Sequence, residues 1–187
     1  MTDILPDPLP RHSGRTLLRR LSISDLSQFQ AYRTDPEVGR YQGWSAISSA
    51  DADAFLSKMA VATLFQPDQW FQLGIADSRT NRLIGDIGVC VRSGRERIAE
   101  IGFTLAPSWQ RQGLGTEAVG EAVAMIFEYA RADYVIAITD TRNLPSIGLL
   151  KKVGMSLKET VESTFRGEPC TEHIFEIRRH PFRRKRL

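Results

Sequence analysis

Residues 106–118 read APSWQRQGLGTEA and lie between an apolar, strand-like run and a run with helical periodicity. Gly113 and Gly115 flank Leu114, so the backbone there can turn tightly and approach a ligand with no Cβ in the way. If the periodic run that follows is a helix, the amides of Gln112 through Thr116 stand at its N-terminus without intrahelical partners. Such an end attracts an anion, and Arg111 adds a formal positive charge beside it. A pyrophosphate is the simplest guest, and a tight turn with no ligand is the plain alternative. No Gly-x4-Gly-Lys-Ser/Thr string occurs, which excludes a P-loop. The looser Gly-x-Gly-x-x-Ala pattern of dinucleotide-binding turns matches Gly113, Gly115 and Ala118, with Asp133 and Asp140 downstream as ribose ligands. In that motif the glycines follow the strand almost directly, whereas seven residues separate Leu105 from Gly113.

Other chemistry finds less support. Cys90 and Cys170 lie far apart and form neither a CxxC pair nor a disulfide framework, and His12, His173 and His180 are the only histidines, so no metal site is expected. With 187 residues, 42% hydrophobic and 25% charged, the chain has the size and composition of one soluble domain. No run approaches the roughly 18 apolar residues of a membrane span, and MTDILPDPLPRHSGR lacks a signal-peptide layout. A cytoplasmic protein without a membrane partner is expected. The net charge is +3, but six basic residues crowd into RRHPFRRKRL at the end, which leaves the body slightly acidic. That segment reads as a solvated tail, or as a handle for weak contact with phosphates or ribosomal RNA.

These residues need elements to position them. The first 14 residues hold three prolines and read as an extended arm, followed by a strand at RTLLRRL. Ser24 and Asp25 offer a cap for a helix at DLSQFQAYR, and a Ser-rich cap opens a second over ISSADADAFLSKMAVATLF, with Ala54, Phe55, Met59, Ala62 and Phe65 near helical spacing. WFQLGIAD, RLIGDIGVCV and RIAEIGFTLA follow, separated by short polar links that predict an antiparallel meander. After the glycine-rich stretch, Val119, Ala122, Val123, Ile126, Phe127 and Ala130 recur at helical spacing. A buried strand at YVIAIT, a helix from Pro145 to a Gly154 cap and a final hairpin about FRGEP complete the chain. The expected organisation is an arm over 1–14, one domain over 15–178 and a basic tail over 179–187.

On these motifs the chain resembles the GNAT acetyltransferase superfamily. QRQGLG fits the Gln/Arg-x-x-Gly-x-Gly/Ala signature, with FTLAPSW before it and NLPSIGLLKKVGM after the next strand. YQGW, IGDIGV, IGFTLAPSWQRQGLGTEA and the KVGM run look like the ribosomal-protein alanine acetyltransferase branch, RimJ and RimL, and its small-molecule relatives. The resemblance spans roughly residues 15 to 178. It implies an α/β fold with a mostly antiparallel mixed sheet, split like a V between the strands flanking the signature helix.

It also implies acetyl-CoA as cosubstrate and a primary amine, small or at a protein N-terminus, as acceptor. Phe103, Thr104 and Leu105 are then expected to hold pantetheine through main chain, Arg111, Gln112, Gly113, Leu114, Gly115 and Thr116 to cradle the pyrophosphate, and Asn143 to bond coenzyme A or the loop. By strand alternation Glu100 shares a face with Gly102 and Thr104, where a carboxylate near the V can take the amine proton through a water. Many family members place a Tyr seven residues after the Asn as proton donor. This chain has Leu150 there, which leaves Ser146 as the hydroxyl available to the leaving thiolate. Tyr41, Trp44 and His173 are expected to line the acceptor pocket, formed by the early helices and the last hairpin. Asp86 is either an amine contact or an edge charge. A homodimer is the assembly expected. Two other functions remain open: a non-catalytic acyl-CoA-binding or ribosome-binding module, and a nicotinamide-dependent enzyme.

Overall fold

The computed structural model describes residues 7–44 and 47–179. The basic residues 183–186, which carry most of the tail's charge, lie outside it. Among the described residues eight strands form one sheet: β1 (Arg11–Ser13), β2 (Thr16–Arg20), β3 (Trp70–Asp77), β4 (Leu83–Arg92), β5 (Ile98–Leu105), β6 (Tyr134–Asp140), β7 (Ser156–Phe165) and β8 (Glu168–Arg178). Their order is β1-β2-β3-β4-β5-β6-β8-β7. The meander β3–β4–β5 stands where the alternating runs and polar links put it. Among these strands β5 and β6 alone pair in parallel, so this is not the doubly wound parallel sheet that a dinucleotide turn requires. The edge strand β1 lies within the stretch read as an arm.

The helices are α1 (Leu26–Arg33), α2 (Pro36–Gly39), α3 (Ser49–Ala60), α4 (Leu114–Met125, continuing through a π turn over Ile126–Ala130) and α5 (Leu144–Val153). Strand alternation sorts them into layers. On one face Ile87, Val89, Ala99, Ile101, Val135, Ala137 and Phe175 bury against Leu114, Ala118, Val119, Ala122 and Val123 of α4 and Leu150 of α5. On the other, Phe29 and Tyr32 of α1 and Ala52, Leu56 and Met59 of α3 form a second cluster with Leu21 and Leu83. Each fully buried large apolar side chain contributes roughly 1.5–3 kcal/mol relative to exposure. That holds the start of α4 against a rigid wall.

Two local expectations are corrected. The cap before α1 is Ser22, whose hydroxyl accepts from Ser24 N while Asp25 Oδ2 accepts from Ser22 N, and the first turn, Ile23–Asp25, is a 3-10 turn. Asp25 is engaged with Arg19 at 2.7 Å. α3 ends at Ala60, short of Phe65, and its buried stripe is Ala52, Leu56 and Met59, with Ala54 exposed.

Candidate active site

β5 and β6 pair from Ile98↔Tyr134 to Ile101↔Ala137 and no further. β5 stays paired with β4 through Leu105, and β6 with β8 through Asp140. The two parallel strands therefore part, and a wedge opens between Gly102–Leu105 and Ile138–Asp140. Ala106 N donates to Ile84 O at 2.9 Å, so antiparallel alternation turns the polar groups of even-numbered β5 residues toward β4 and those of Phe103 and Leu105 into the wedge. Side-chain amides reach both carbonyls: Gln42 Nε2 donates to Phe103 O at 3.2 Å and Gln110 Nε2 to Leu105 O at 2.9 Å. Thr104 turns its main chain to β4, so of the three expected contributors only Phe103 and Leu105 offer main chain to the wedge.

Beyond the wedge, α4 starts at Leu114 with Gly113 as its N-cap at φ +82°. Arg111 is also left-handed, at φ +60°, a conformation that costs a non-glycine residue about 1–3 kcal/mol and gathers at ligand sites. The first closing bond is Glu117 N to Gly113 O at 3.1 Å, and the amides of Gly113 to Thr116 have no acceptor among the described residues. Arg111, Gln112 and Gly113 are exposed, and Gln112 turns its side chain back to Ser108 O at 2.9 Å. Gly115 is different. A Cβ there would meet Leu149 Cδ1 at 2.6 Å and Leu105 Cδ1 at 2.7 Å, so this glycine lets β5, α4 and α5 close on one another.

One cation at the cradle has no local signature in the sequence. Arg15, 97 residues away, donates to Gln112 O at 2.8 Å and bonds Glu117 through both its side chain and its amide. Partial burial works to raise the pKa of Glu117, but the Arg15 hydrogen bonds and charge outweigh it and hold the carboxyl below its ordinary range.

At α5, Asn143 is the N-cap, its Oδ1 accepting from Ser146 N at 3.3 Å. The Ser146 hydroxyl makes no hydrogen bond among the described residues and is half-buried. It lies one turn before Leu149, on the helix face that meets Gly115. Leu150 is fully buried in the core, so the position where many relatives carry a Tyr holds no proton donor.

Glu100 sits opposite Ile136, in the closed part of the parallel pair, and is ion-paired with Arg92. It shares a face with Gly102 and Thr104 but does not reach the open mouth unpaired, and its hydrogen bond and charge push Arg92 up. On the same face Asp86 is a buried central-strand residue and no edge charge: it accepts from Tyr32 Oη, from Arg33 at 2.9 Å and from Gln72 at 3.0 Å. That network occupies it. Trp44 stacks on Arg33 at 4.4 Å, and Arg142 stands 6.0 Å from the Tyr41 ring. Arg166, in the β7–β8 turn, donates to the carbonyls of Gly39, Gln42 and Trp44, so the last hairpin and the loop of Tyr41 and Trp44 do meet. His173 is not with them. It points with Phe175 to the α4–α5 face and bonds Thr160 at 2.8 Å. Glu172, its neighbour, faces the Asp86 side in register with Asp140 and enters no ion pair among the described residues. Among the described residues, no three His, Cys, Asp or Glu side chains gather as a metal site, and no helix is long and apolar enough to cross a membrane.

A family model described as an acetyltransferase (GNAT) domain matches residues 15–156. The chain is 29% identical over 168 residues to an uncharacterized N-acetyltransferase, YoaA, of Bacillus subtilis, covering 88% of this chain and 94% of that one. Among solved structures it resembles a GNAT-family acetyltransferase from Bacillus anthracis, with TM-score 0.80 and 21% identity over 91% of this chain and 98% of the other. It also resembles a spermidine N-acetyltransferase from Vibrio cholerae in complex with CoA and spermine, with TM-score 0.74 and 16% identity over 88% and 95%. These structural likenesses lie in the fold.

Proposed function

Because the chain belongs to the GNAT acetyltransferase family, we propose that it moves an acetyl group from acetyl-CoA to a primary amine by direct attack within a ternary complex. The observation that carries this reading is the wedge. A backbone edge of β5 is left without a strand partner at Phe103 and Leu105, where only the side-chain amides of Gln42 and Gln110 reach the carbonyls, and it leads to the amides of Gly113 to Thr116, which have no acceptor among the described residues. An extended, amide-bearing pantetheine can add to the first, and a pyrophosphate suits the second, with Arg111 and Arg15 beside it. The open backbone conformation at Gly113 lets phosphate oxygens approach the amides, which is the feature of this chain that fits the ligand.

The chain's own part in the reaction is positioning. An amide near Leu105 can stabilise the oxyanion, and holding amine and thioester together removes much of the entropic barrier. Ser146 is the proposed donor to the departing thiolate. Glu100, relayed by water, is the proposed base, with Glu172 as the competing carboxylate nearer the mouth. Neither cysteine takes part: Cys90 is fully buried, and burial raises its pKa. The test is a thiol-release screen with acetyl-CoA against pooled amines and peptides beginning with Ala or Ser. Amine-dependent release supports transfer. Tight acetyl-CoA binding with no release would leave an acyl-CoA-binding module.

A further inference from the structure

We infer that Gln42 is a displaceable stand-in for the pantetheine arm: its carboxamide holds a β5 carbonyl that acetyl-CoA needs, so the chain lowers its own cofactor affinity through this residue. The inference rests on the acetyl-transfer reading above. Past Ile101 the wedge-side edge of β5 has no strand beside it, and a partly buried strand carbonyl left without a partner costs free energy. The Phe103 carbonyl finds its partner 61 residues away in sequence, in the Gln42 Nε2 that donates to it at 3.2 Å. Phe103 and Gln42 are both half-buried, so the bond is shielded from water on part of its surface. A carboxamide donating to a strand carbonyl makes the same kind of bond as an amide of pantetheine added to that edge. Both donors come from the wedge side, because β4 lies along the other edge of β5. One leaves as the other enters.

The carboxamide is held lightly and its backbone firmly. Gln42 Nε2 bonds only the neutral Phe103 carbonyl among the described residues. The loop behind it is anchored by other groups. Arg166 Nη2 donates to the carbonyls of Gly39, Gln42 and Trp44, the last at 2.8 Å, and Trp44 stacks on Arg33 at 4.4 Å. A rotation of the Gln42 side chain therefore withdraws the plug while the loop stays in place. Gln110 differs in origin: it holds the Leu105 carbonyl at 2.9 Å from five residues further along the same turn. Gln42 comes from the loop of Tyr41 and Trp44, outside the glycine-rich signature, so no cofactor motif contains it. A ligand that must first break this bond binds in proportion to the fraction of molecules in which the bond is open.

Calorimetry on the full chain measures coenzyme A, and adenosine 3′-phosphate 5′-diphosphate as the portion without pantetheine, for the wild type, Gln42→Ala and Gln42→Asn, with folding checked by melting temperature. Gln42→Ala is expected to tighten coenzyme A binding about two- to tenfold, the weight of one neutral hydrogen bond, and to leave the nucleotide's affinity unchanged. Gln42→Asn, too short to reach Phe103 O, should match it. Unchanged or weaker coenzyme A binding in Gln42→Ala, wild-type affinity in Gln42→Asn, or a nucleotide affinity that rises by the same factor overturns the inference and leaves acetyl transfer standing. A wild type that binds no coenzyme A overturns both.

Discussion

Ser146 and Glu100 carry the most exposed assignments. Ser146→Ala is expected to lower kcat on the order of 10²-fold with little change in acetyl-CoA affinity, the size of losing a positioned proton donor. Wild-type-like kcat in the folded variant would hand that role to water. Glu100→Gln is expected to act through pH instead: its loss should be partly rescued as pH rises and free amine becomes abundant, which steady-state rates from neutral to alkaline pH would read directly. An unchanged profile there, with a shifted one in Glu172→Gln, would move the base to β8. Single residues were legible in the sequence where local spacing governs them, as at the Gly113 turn and the helix start at Pro145. Arg15 was not, because its partner lies 97 residues away. The surroundings of Glu100 and the side taken by His173 were not legible, for one reason. Alternation gives the face of a strand residue, but only register shows that Glu100 lies where the strands still pair and that His173 belongs to the α4–α5 side.

Among the elements, the loop from β5 to α4 and the turn from β6 to α5 fix the mouth of the wedge. Gly115→Val is expected to destabilise the fold by about 1–3 kcal/mol through collision with Leu149 and Leu105, seen as a lower melting temperature even without ligand. It therefore tests packing, and Arg111→Gln, on an exposed side chain, is the cleaner probe of phosphate binding. At the second turn Asp140 accepts from the Arg142 side chain and amide, which outweigh its desolvation and hold its carboxyl below the ordinary range. A carboxyl depressed in the folded state contributes stability above the unfolded value of about 4, and loses it as pH falls through the lower folded value. Asp140→Asn should accordingly flatten the acid limb of stability against pH, costing on the order of 1 kcal/mol near neutrality, as denaturant titrations at several pH values would show. Strands and the two later helices were readable because period and turn chemistry agree there. The cap at Ser22 and the end of α3 depended on tertiary partners: Asp25 is drawn to Arg19, and burial stops following the helix after Met59.

For the molecule as a whole, one sheet with helices on both faces turns a break in parallel pairing into an open wedge, and the motif that first suggested an anion stands at its end. The sequence carried the fold because its signature and its meander are local. It did not carry the wedge itself, since where the β5–β6 pairing stops exists only once the strands are in register. Deleting residues 181–187 is expected to leave turnover of a small amine intact, because they follow the last strand. The most direct measurement quantifies free thiol and acetylated amine together in one reaction of the full chain with acetyl-CoA and a turned-over amine. Direct transfer within the wedge predicts equal amounts of the two, both dependent on amine. Thiol released equally with and without amine, or acetyl-CoA bound with neither product formed, would contradict it.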